Sequence, residues 1–578
     1  MIPTTTSTNT TKPFSNKRKD QFSMKNLTFG ALDINLIEDL KNSEKDIIYG
    51  AQVAGQTFYR ALLKYGTFDE YHFFVRPEET DYLETKILNS SSSSHSVKLI
   101  KYSALPEYLQ KQNYSVFFTG SPSLSRLAYM RNRFSNADFP VCGVAYTVSA
   151  HELLEFCFFH NQIADLRSYD SIICISRAQA KAIEKLYEIV SHSFKKEKGL
   201  NLKYRGRLDI LPLGVEAQSF GQTDKMDSRL RLDLPRERVI ILYFGRFSLF
   251  DKMDLYPLLL AFKELSANNK KIMLLLAGSN AQGDYASRVK KMAGELEILP
   301  DIKFYLDPSD SEKRLLYSAS DIFVSPSDNL QESFGLTTLE AMASGLPVVA
   351  SDWNGYRDVV IHGETGFLIP TYWADCSREI SVLSRIFENW QLDHLLIGQS
   401  VAIDAKKMQE FLASLVKNKA LRLKFGRNAR RRVLENYDWK ALIPKYEKLW
   451  KELAQICDEE KHTEAKSKTE IFVPDYFYCF SHYPSRMLED ETNIAITDQG
   501  SSLLRTKKMP AYPAELQDKI SKKTVFLVLM YLLDKRAVPL NNVEGYLQKL
   551  FKGMSSSQIR YHVLWLIKKN CISVLDKN

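Results

Sequence analysis

The sequence predicts an α/β protein with two doubly wound, Rossmann-like domains in tandem, followed by a small helical module. Short apolar runs without polar alternation indicate strands buried on both faces, and helical segments between them indicate parallel βαβ units. This pattern occurs over residues 26–222 and begins again at residue 223. The chain has 578 residues, of which 44% are hydrophobic and 25% charged. Such a composition is typical of folded globular domains and excludes collagen, coiled coil and wholesale disorder.

The N-terminal domain is predicted over residues 26–222. Residues 1–25 are rich in Ser, Thr and Asn and have few large apolar side chains, so we expect a disordered basic tail. The first helix of the domain is predicted in VAGQTFYRALLKY. The predicted strands are, in chain order, LTFGAL, YHFFV, VKLIKY, SVFFTG, FPVCGVAYT, SIICIS and LDILPLGV.

The second domain is predicted over residues 223–457, where strands again alternate with helices and closing helices follow. Each predicted strand ends in Gly, Ser, Asp, Pro or a neighbouring loop residue, at the edge where open α/β sheets bind their ligands. Two such domains facing each other would form a cleft. The predicted strands are RVIILYFGR, IMLLLAGS, IKFYLD, DIFVSPS, PVVASD and TGFLIPT.

The C-terminal part is predicted as a linker and a basic module. Residues 458–513 are the linker, with an aromatic segment at 471–484 that we expect to pack against a domain. Residues 514–578 predict three helices and a terminal strand, which is a winged-helix-like arrangement. Because the last helix exposes as many aromatic as basic residues, protein contact or self-association is favoured over binding of nucleic acid.

The net charge of +9 is carried by the two ends of the chain. Residues 501–578 carry +9, residues 1–25 carry +4, and the body between them carries −4. Basic ends suit an anionic membrane face or a polyanion, whereas the body is not a nucleic-acid-coating surface. The apolar runs are shorter than the roughly 20 residues of a membrane span, and the cysteines include no CxxC pair. We therefore expect a cytoplasmic protein, or one peripheral at the inner face of the membrane.

The most specific motif is Glu332-Ser-Phe-Gly-Leu-Thr-Thr-Leu-Glu340, between the strand DIFVSPS and a predicted helix. Gly335 permits close approach of the backbone, and the free N–H groups of the helix start suit a phosphate. The carboxylates lie about two turns apart and can accept hydrogen bonds from sugar hydroxyls. Glu332 by itself would also fit an acidic first turn that complements the helix dipole. The complete motif favours a grip on a sugar nucleotide.

This motif resembles the glutamate-seven-residues-glutamate motif of retaining glycosyltransferases with the GT-B fold, most closely family four, the group 1 type. The resemblance extends over about three quarters of the chain, because several ordered motifs recur at the expected separations. It implies two facing Rossmann-like domains, with residues 26–222 on the acceptor side and residues 223–457 binding the nucleotide sugar. It also implies transfer of a hexose, with retention, from an NDP-sugar such as a UDP-sugar to a hydroxyl acceptor. The further motifs are Gly245-Arg246 with Asp251-Lys252, LLLAGS, SPSDN, GETGFLIP, ICISRAQ and LPLGVE.

The resemblance also implies roles for individual residues. Arg246 and Lys252 would clamp the donor diphosphate, and Glu332 would lie beside the donor sugar. His151 would reach that sugar from the N-terminal domain, although a histidine satisfied at a strand end is the alternative. Lys252 has a surface position as its alternative. These four are the predicted catalytic residues, and the predicted donor-binding residues are Gly50, Gly55, Gly245, Phe334, Gly335, Leu336, Thr337 and Glu340.

The resemblance assigns more specific roles to Glu340 and to the pair Gly50 and Gly55. Glu340 would hold the ribose hydroxyls of the donor. Gly50 and Gly55 would form a glycine-rich loop before the first helix, with ordinary tight-turn use as the alternative.

No metal and no cofactor are expected beyond the NDP-sugar as co-substrate. The sequence has no Asp-x-Asp triplet, and fixed cations can stabilise a diphosphate leaving group. HELLE lacks the second histidine of a HExxH zinc site, because Glu155 stands in its place. The acceptor, whether saccharide, lipid-linked or small molecule, stays open. Alternatives to the transferase are a synthase or phosphorylase acting on a small sugar, and a nucleotide-sugar-responsive regulator that acts through the C-terminal module.

Overall fold

The computed structural model contains two compact units, Met1–Phe472 and Val473–Asn578. The first holds two parallel sheets, which confirms the predicted pair of Rossmann-like domains. No helix among the described residues is both long and apolar enough to cross a bilayer. The structure describes residues 27–32, 50–76, 96–149, 157–221, 223–267, 269–280, 283–380, 390–460, 475–512, 516, 519–535 and 537–575.

The first domain is built on a seven-stranded parallel sheet with the order β3-β2-β1-β4-β5-β6-β7. Its central strands are buried along their whole length, as expected when helices cover both faces. The strands are β1 (Thr28–Leu32), β2 (Glu70–Val75), β3 (Ser96–Lys101), β4 (Val116–Thr119), β5 (Val141–Ala145), β6 (Ser171–Cys174) and β7 (Arg207–Ile210). The helices are α1 (Gly50–Tyr65), α2 (Leu105–Lys111), α3 (Ser125–Phe134), α4 (Phe159–Ile163) and α5 (Arg177–Lys198).

The second domain is built on a six-stranded parallel sheet with the order β10-β9-β8-β11-β12-β13. The strands are β8 (Val239–Phe244), β9 (Ile272–Gly278), β10 (Ile302–Leu306), β11 (Ile322–Ser325), β12 (Val348–Ser351) and β13 (Gly366–Ile369). A separate antiparallel pair joins β14 (Thr371–Tyr372) to β15 (Ala402–Ile403). The helices are α6 (Lys225–Arg231), α7 (Tyr256–Ala267), α8 (Tyr285–Glu295), α9 (Asp310–Ala319), α10 (Leu336–Ala343), α11 (Tyr356–Val359), α12 (Trp390–Gln399), α13 (Ala405–Lys417) and α14 (Lys419–Asn436).

Helix α15 (Trp439–Glu459) returns from the second domain and packs against the first. The ring of Trp450 lies 5.1 Å from that of Phe29 in β1, and both side chains are fully buried. Glu447 accepts hydrogen bonds from the backbone N–H and the hydroxyl of Thr67, at 2.5 and 2.6 Å. The closing helix assigned by sequence to residues 223–457 therefore belongs to the core of the first domain, because its aromatic stripe is buried there.

The second unit is a helical module on a three-stranded antiparallel sheet with the order β17-β16-β18. The predicted module start at residue 514 is too late, because the central strand β16 lies at Asn493–Ile496. The aromatic segment also differs from expectation, since Phe477 is 88% and Tyr478 80% exposed rather than packed. The elements are α16 (Tyr476–Cys479), β16, α17 (Asp498–Thr506), α18 (Lys522–Leu533), β17 (Val538–Pro539), α19 (Leu540–Leu550), α20 (Ser556–Lys568) and β18 (Ile572–Val574).

The helix-strand-helix-helix-strand order from α18 to β18 resembles a winged helix. The third strand of its sheet is β16, however, which precedes these helices in the chain instead of forming a hairpin with β18 at the end. The strand consists of only four residues, and its partners lie about forty to eighty residues further along the chain. Pairing over such a separation leaves no periodic signal in the neighbouring sequence.

Candidate active site

A cavity of about 280 Å³ lies at the carboxyl ends of the second sheet and is lined by both domains of the first unit. The sequence-predicted site residues line it, with two exceptions. Gly55 is buried within α1, and His151 lies outside the described residues. The lining residues are Gly50, Val53, Tyr146, Thr147, Ile175, Leu213, Phe244, Gly245, Arg246, Asp251, Lys252, Ser279, Lys313, Gln331, Glu332, Ser333, Phe334, Gly335, Leu336, Thr337 and Glu340.

The expected glycine-rich loop before the first helix is not formed by Gly50 and Gly55. Both residues are part of helix α1, where Gly50 is the first residue and borders the cavity. Gly55 lies beside the buried residues Ala54 and Phe58 on the face that packs into the domain. The prediction for this pair was wrong because the glycines lie within the amphipathic pattern of the helix instead of preceding it.

Lys252 and Glu332 form an ion pair inside the cavity. They occupy the loops that follow β8 and β11, and these strands are neighbours in the sheet, so their carboxyl ends lie side by side. The Lys252 ammonium donates directly to a Glu332 carboxylate oxygen, and the two side chains are only 12% and 10% exposed. A cation and a carboxylate are thus held together where little water reaches them.

Polar contacts from the loop after β11 fix the backbone that carries Lys252. The hydroxyl of Ser327 donates to the Lys252 carbonyl at 3.2 Å, and the Asn329 amide donates to the Phe250 carbonyl at 3.1 Å. Asn329 is fully buried. The loop that carries Glu332 therefore also orients Lys252, its partner in the ion pair.

Arg246 is the second cation of the cavity and follows directly after β8. Its guanidinium donates to the backbone carbonyl of Asp251 at 3.3 Å and lies 3.4 Å from the carboxylate of that residue. At Gly245 a β-carbon would lie 2.7 Å from the Tyr243 hydroxyl and 2.9 Å from Cε of Lys252, so a side chain there would displace these groups. The missing side chain allows the two cationic groups to share one end of the cavity.

The loop between β11 and α10 turns at Gly335, whose φ of +92° lies in the left-handed region. A β-carbon there would lie 2.1 Å from the Tyr356 ring, so both the conformation and the space require glycine. The turn begins α10, and its first residues, Leu336 and Thr337, line the cavity. The hydroxyl of Thr337 is buried without a hydrogen-bond partner among the described residues. A helix N-terminus with such a hydroxyl can accommodate an anionic oxygen.

Glu340, one turn further along α10, is held by two residues of α9. Lys313 donates to one carboxylate oxygen, and the hydroxyl of Tyr317 donates to the other at 2.9 Å. Burial, followed by the negative charge of Glu340, raises the pKa of Tyr317 well above its ordinary value, so its hydroxyl stays a donor. Sequence reasoning missed this pair, because the i,i+4 spacing places Lys313 and Tyr317 on one face of α9 but does not show that this face meets Glu340.

Asp328 is a buried carboxyl beside the cavity loops and is only 5% exposed. The backbone N–H of Asp254 lies 3.3 Å from each of its two oxygens. Burial raises the pKa of Asp328 to about 8, and the nearby negative charge of Asp254 adds to this increase. The SPSDN run pointed to this loop but did not distinguish Asp328.

Three contacts join the two domains of this unit close to the cavity. The hydroxyl of Ser333 donates to the Tyr146 carbonyl at 2.6 Å, directly beside Glu332. Arg177 and Asp358 form an ion pair at 2.6 Å. His394 Nε2 lies 3.2 Å from the Ser149 carbonyl. The first domain therefore covers the cavity on the side of residues 326–335, the loop between β11 and α10 that carries Glu332 and is called the acidic loop below.

The arrangement combines three cations, three carboxylates and a helix N-terminus in one cleft; the charged residues are Arg246, Lys252, Lys313, Asp251, Glu332 and Glu340. Such a set can bind a diphosphate through the cations and the helix start, and a hydroxyl-rich group through the carboxylates. Within the described residues, no three His, Cys, Asp or Glu side chains are grouped so that they could hold a metal ion.

The chain is similar to a known family and to curated proteins over part of its length. The family model for glycosyl transferases group 1 matches residues 224–394. A D-inositol 3-phosphate glycosyltransferase of Nocardioides sp. is 30% identical over 190 residues, which are 30% of this chain and 41% of the relative. A phosphatidyl-myo-inositol mannosyltransferase of Mycolicibacterium smegmatis is 30% identical over 182 residues, 32% of this chain and 43% of the relative. The chain spans about two fifths of the length of these curated relatives.

Solved structures are similar over a larger part of the chain. Sucrose-phosphate synthase from Thermosynechococcus elongatus has a TM-score of 0.49 at 19% identity, over 74% of this chain and 100% of that chain. HepE of Anabaena in complex with UDP and glucose has a TM-score of 0.48 at 13% identity, over 73% of this chain and 98% of that chain.

Proposed function

We propose, from the premise that residues 224–394 match the family model for glycosyl transferases group 1, that the protein moves a hexose from an NDP-sugar to a hydroxyl acceptor with retention at the anomeric carbon. The observation that carries the proposal is the convergence of Arg246, Lys252, Glu332 and Glu340 on one cavity between two domains. Cations at one end and carboxylates beside them are complementary to a diphosphate and to the hydroxyl groups of a sugar nucleotide.

The cations supply the leaving-group stabilisation in this proposal. As the bond between the anomeric carbon and the diphosphate oxygen breaks, negative charge grows on that oxygen. Arg246 and Lys252 are fixed before the reaction and pay little reorganisation when this charge develops. The N–H groups at the start of α10 and the Thr337 hydroxyl would add donors to the same phosphate. The chain's own cations would thereby do this work without a metal.

The carboxylates hold the sugar nucleotide at two points. Glu340 would accept hydrogen bonds from the ribose hydroxyls, with Lys313 and Tyr317 keeping its carboxylate in place. Glu332 would accept from hydroxyls of the donor hexose through the carboxylate oxygen that Lys252 does not contact. We assign Glu332 to positioning of the sugar, because a carboxylate paired with an ammonium is a weakened nucleophile.

Retention would follow if the acceptor attacks the anomeric carbon from the same face that the leaving group departs from. The acceptor oxygen forms the new bond to the anomeric carbon, and its proton passes to the departing phosphate oxygen. The contact between Ser333 and Tyr146, directly beside Glu332, would limit water at this point. Exclusion of water favours transfer over hydrolysis of the donor.

Donor binding and transfer test the proposal separately. Thermal-shift screening with UDP-, GDP- and ADP-sugars should identify a donor, since a ligand at 100 times its dissociation constant stabilises by about 2.7 kcal/mol. With that donor, Arg246→Ala, Lys252→Ala and Glu332→Ala should each reduce transfer by about a hundredfold or more while the fold is retained. Lys407→Ala, which affects an exposed ion pair on α13, is the matched control. Unchanged turnover in the three cavity variants would refute the assignment.

A further inference from the structure

Two tryptophans lie beyond the carboxyl ends of neighbouring strands in the second sheet, outside the cavity described above. Trp353 follows β12 and Trp373 follows the short strand β14, which comes directly after β13. Their rings are 5.9 Å apart and meet edge to face at 75°. The order β8-β11-β12-β13 places them next to the strand end that carries Glu332, on the side away from Arg246.

Trp353 is tied directly to the acidic loop. Its indole N–H donates to the Asn329 carbonyl at 3.0 Å, and the same carbonyl accepts the backbone N–H of Glu332 at 3.3 Å. One carbonyl oxygen therefore links the indole of Trp353 to the backbone of Glu332. At Gly355 a β-carbon would lie 2.2 Å from the Ser333 carbonyl, so the turn that carries Trp353 packs against the acidic loop.

The backbone next to Trp353 is in an uncommon conformation. Asn354 has a φ of +44°, in the left-handed region that Asn tolerates better than most residues. Positive φ outside glycine is often retained where a side chain must be held for function. Here it turns the chain at the end of β12 and keeps the Trp353 ring beside the acidic loop.

Trp373 presents an exposed ring that is nevertheless fixed. Its side chain is 58% exposed, yet its indole N–H donates to the Ser400 hydroxyl at 2.9 Å. The Thr371 hydroxyl donates to the Asp352 carbonyl at 3.0 Å and fastens β14 to the Trp353 turn. The polar atom of the indole is satisfied within the protein, so the remaining surface is a rigid aromatic face. A preorganised face loses little conformational entropy when it binds a ligand.

Charged groups border this aromatic surface. Asp352 precedes Trp353 and pairs with Arg357 at 2.7 Å, with side chains 45% and 55% exposed. The hydroxyl of Tyr372, which is 60% exposed, donates to Asp404 at 3.2 Å. The surface therefore combines aromatic faces with both hydrogen-bond acceptors and donors.

We propose that Trp353 and Trp373 form a saccharide-binding platform on the second domain that holds the distal part of a carbohydrate acceptor, whose reacting end enters the cavity between the two domains. A sugar ring has an apolar C–H face that can stack on an indole and a rim of hydroxyls that can pair with Asp352 and Arg357. A bilayer surface fits less well, because acidic groups border the rings. The role as acceptor subsite rests on the proposed function, whereas saccharide binding itself does not require turnover.

A glycan array probed with the full chain tests the platform without any sugar transfer. The wild-type protein should bind a subset of the printed saccharides. For the strongest of these, Trp373→Ala should weaken binding roughly fivefold or more, because it removes the exposed ring. Trp373→Phe should restore part of the affinity. Tyr476→Ala is the matched control, because Tyr476 is 65% exposed in the other unit.

Donor binding separates this inference from the proposed function. Trp373→Ala should leave the thermal shift produced by the best NDP-sugar unchanged, and it should raise KM for a saccharide acceptor more than it lowers kcat. Saccharide binding without any NDP-sugar shift would refute the proposed function and leave the platform standing. The platform is overturned if the wild-type chain binds no glycan on the array or if Trp373→Ala binds as well as wild type. It is also overturned if the substitution abolishes binding to vesicles of anionic phospholipid and not to glycans.

Discussion

The ion pair between Lys252 and Glu332 provides the sharpest test of the site, because stability and activity should respond differently to its removal. Lys252→Met keeps most of the side-chain volume and removes the positive charge. Glu332→Gln keeps the shape of its partner and removes the negative charge. The double variant removes both charges together and leaves no unpaired ion in the cavity.

The expected magnitude follows from burial. Loss of one partner of a fully buried pair costs about 3–5 kcal/mol, chiefly because the other charge is left without compensation. The two side chains retain 12% and 10% exposure, so water relieves part of this penalty. We expect each single substitution to lower the free energy of unfolding by about 2–3 kcal/mol, with a coupling energy of about 3 kcal/mol in the double-mutant cycle. The double variant should be no less stable than either single variant.

Urea denaturation followed by circular dichroism measures these free energies, and sugar transfer is measured on the same preparations. The transition of the unit Val473–Asn578 serves as an internal reference, since it contains neither residue. Lys407→Met breaks an exposed pair with Glu410 of 2.7 Å and should change stability by no more than about 0.5 kcal/mol. All three cavity variants should lose transfer, although the double variant regains stability.

Two results would refute this reasoning. Additive losses of stability in the double variant would mean that the two charges do not compensate each other in the folded protein. Wild-type transfer by the double variant would mean that neither charge takes part in the reaction.

Three further predictions concern the loops around the cavity. Gly335→Ala should destabilise the protein by about 2 kcal/mol more than Gly363→Ala, because both positions have positive φ but only at Gly335 would a β-carbon clash. Thermal melting compares the two variants, and equal losses of stability would contradict the packing argument. Asp328 stays protonated in the folded protein up to about pH 8, whereas the unfolded chain ionises near pH 4, so folding stability falls as pH rises through this window. Asp328→Asn should remove this loss of stability at high pH, which melting curves recorded at several pH values measure. If the melting temperature falls equally with pH in the wild type and the variant, Asp328 does not contribute. Tyr317→Phe should weaken NDP-sugar binding about three- to tenfold with little change in kcat, because it removes one hydrogen-bond donor to Glu340. Titration calorimetry measures the affinity, and an unchanged affinity would show that Tyr317 does not support donor binding.

The tandem arrangement of α/β domains was readable from the chain because it depends on local patterns. Continuous apolar runs such as VIILYF in β8 are dictated by burial on both faces, and the repeat of the pattern after residue 223 marked the second sheet. The run from Glu332 to Glu340 lies on one turn and one helix, so its residues are close in space whenever these elements form. Gly335 was similarly identifiable, since a strand-to-helix turn of this kind favours glycine.

Other features depend on contacts between distant elements. The restraint of Glu340 by Tyr317 joins two helices, and the aromatic surface joins Trp353 to Trp373 across a separate pair of strands. Neither pairing has a spacing that a periodic pattern could reveal. The predicted loop role of Gly50 and Gly55 failed for a related reason, since a glycine's neighbours do not show whether it lies in a turn or on a packed helix face.

By itself the sequence determined the strands of the two parallel sheets, and that acidic and basic groups follow the strands of the second sheet. Those properties arise from residues within a few positions of each other. Only the tertiary structure decided that Lys252 pairs with Glu332, that α15 completes the core of the first domain, and that β16 is the central strand of the C-terminal sheet. Each of these contacts joins parts of the chain that are distant in sequence, and its geometry is set by how whole elements pack.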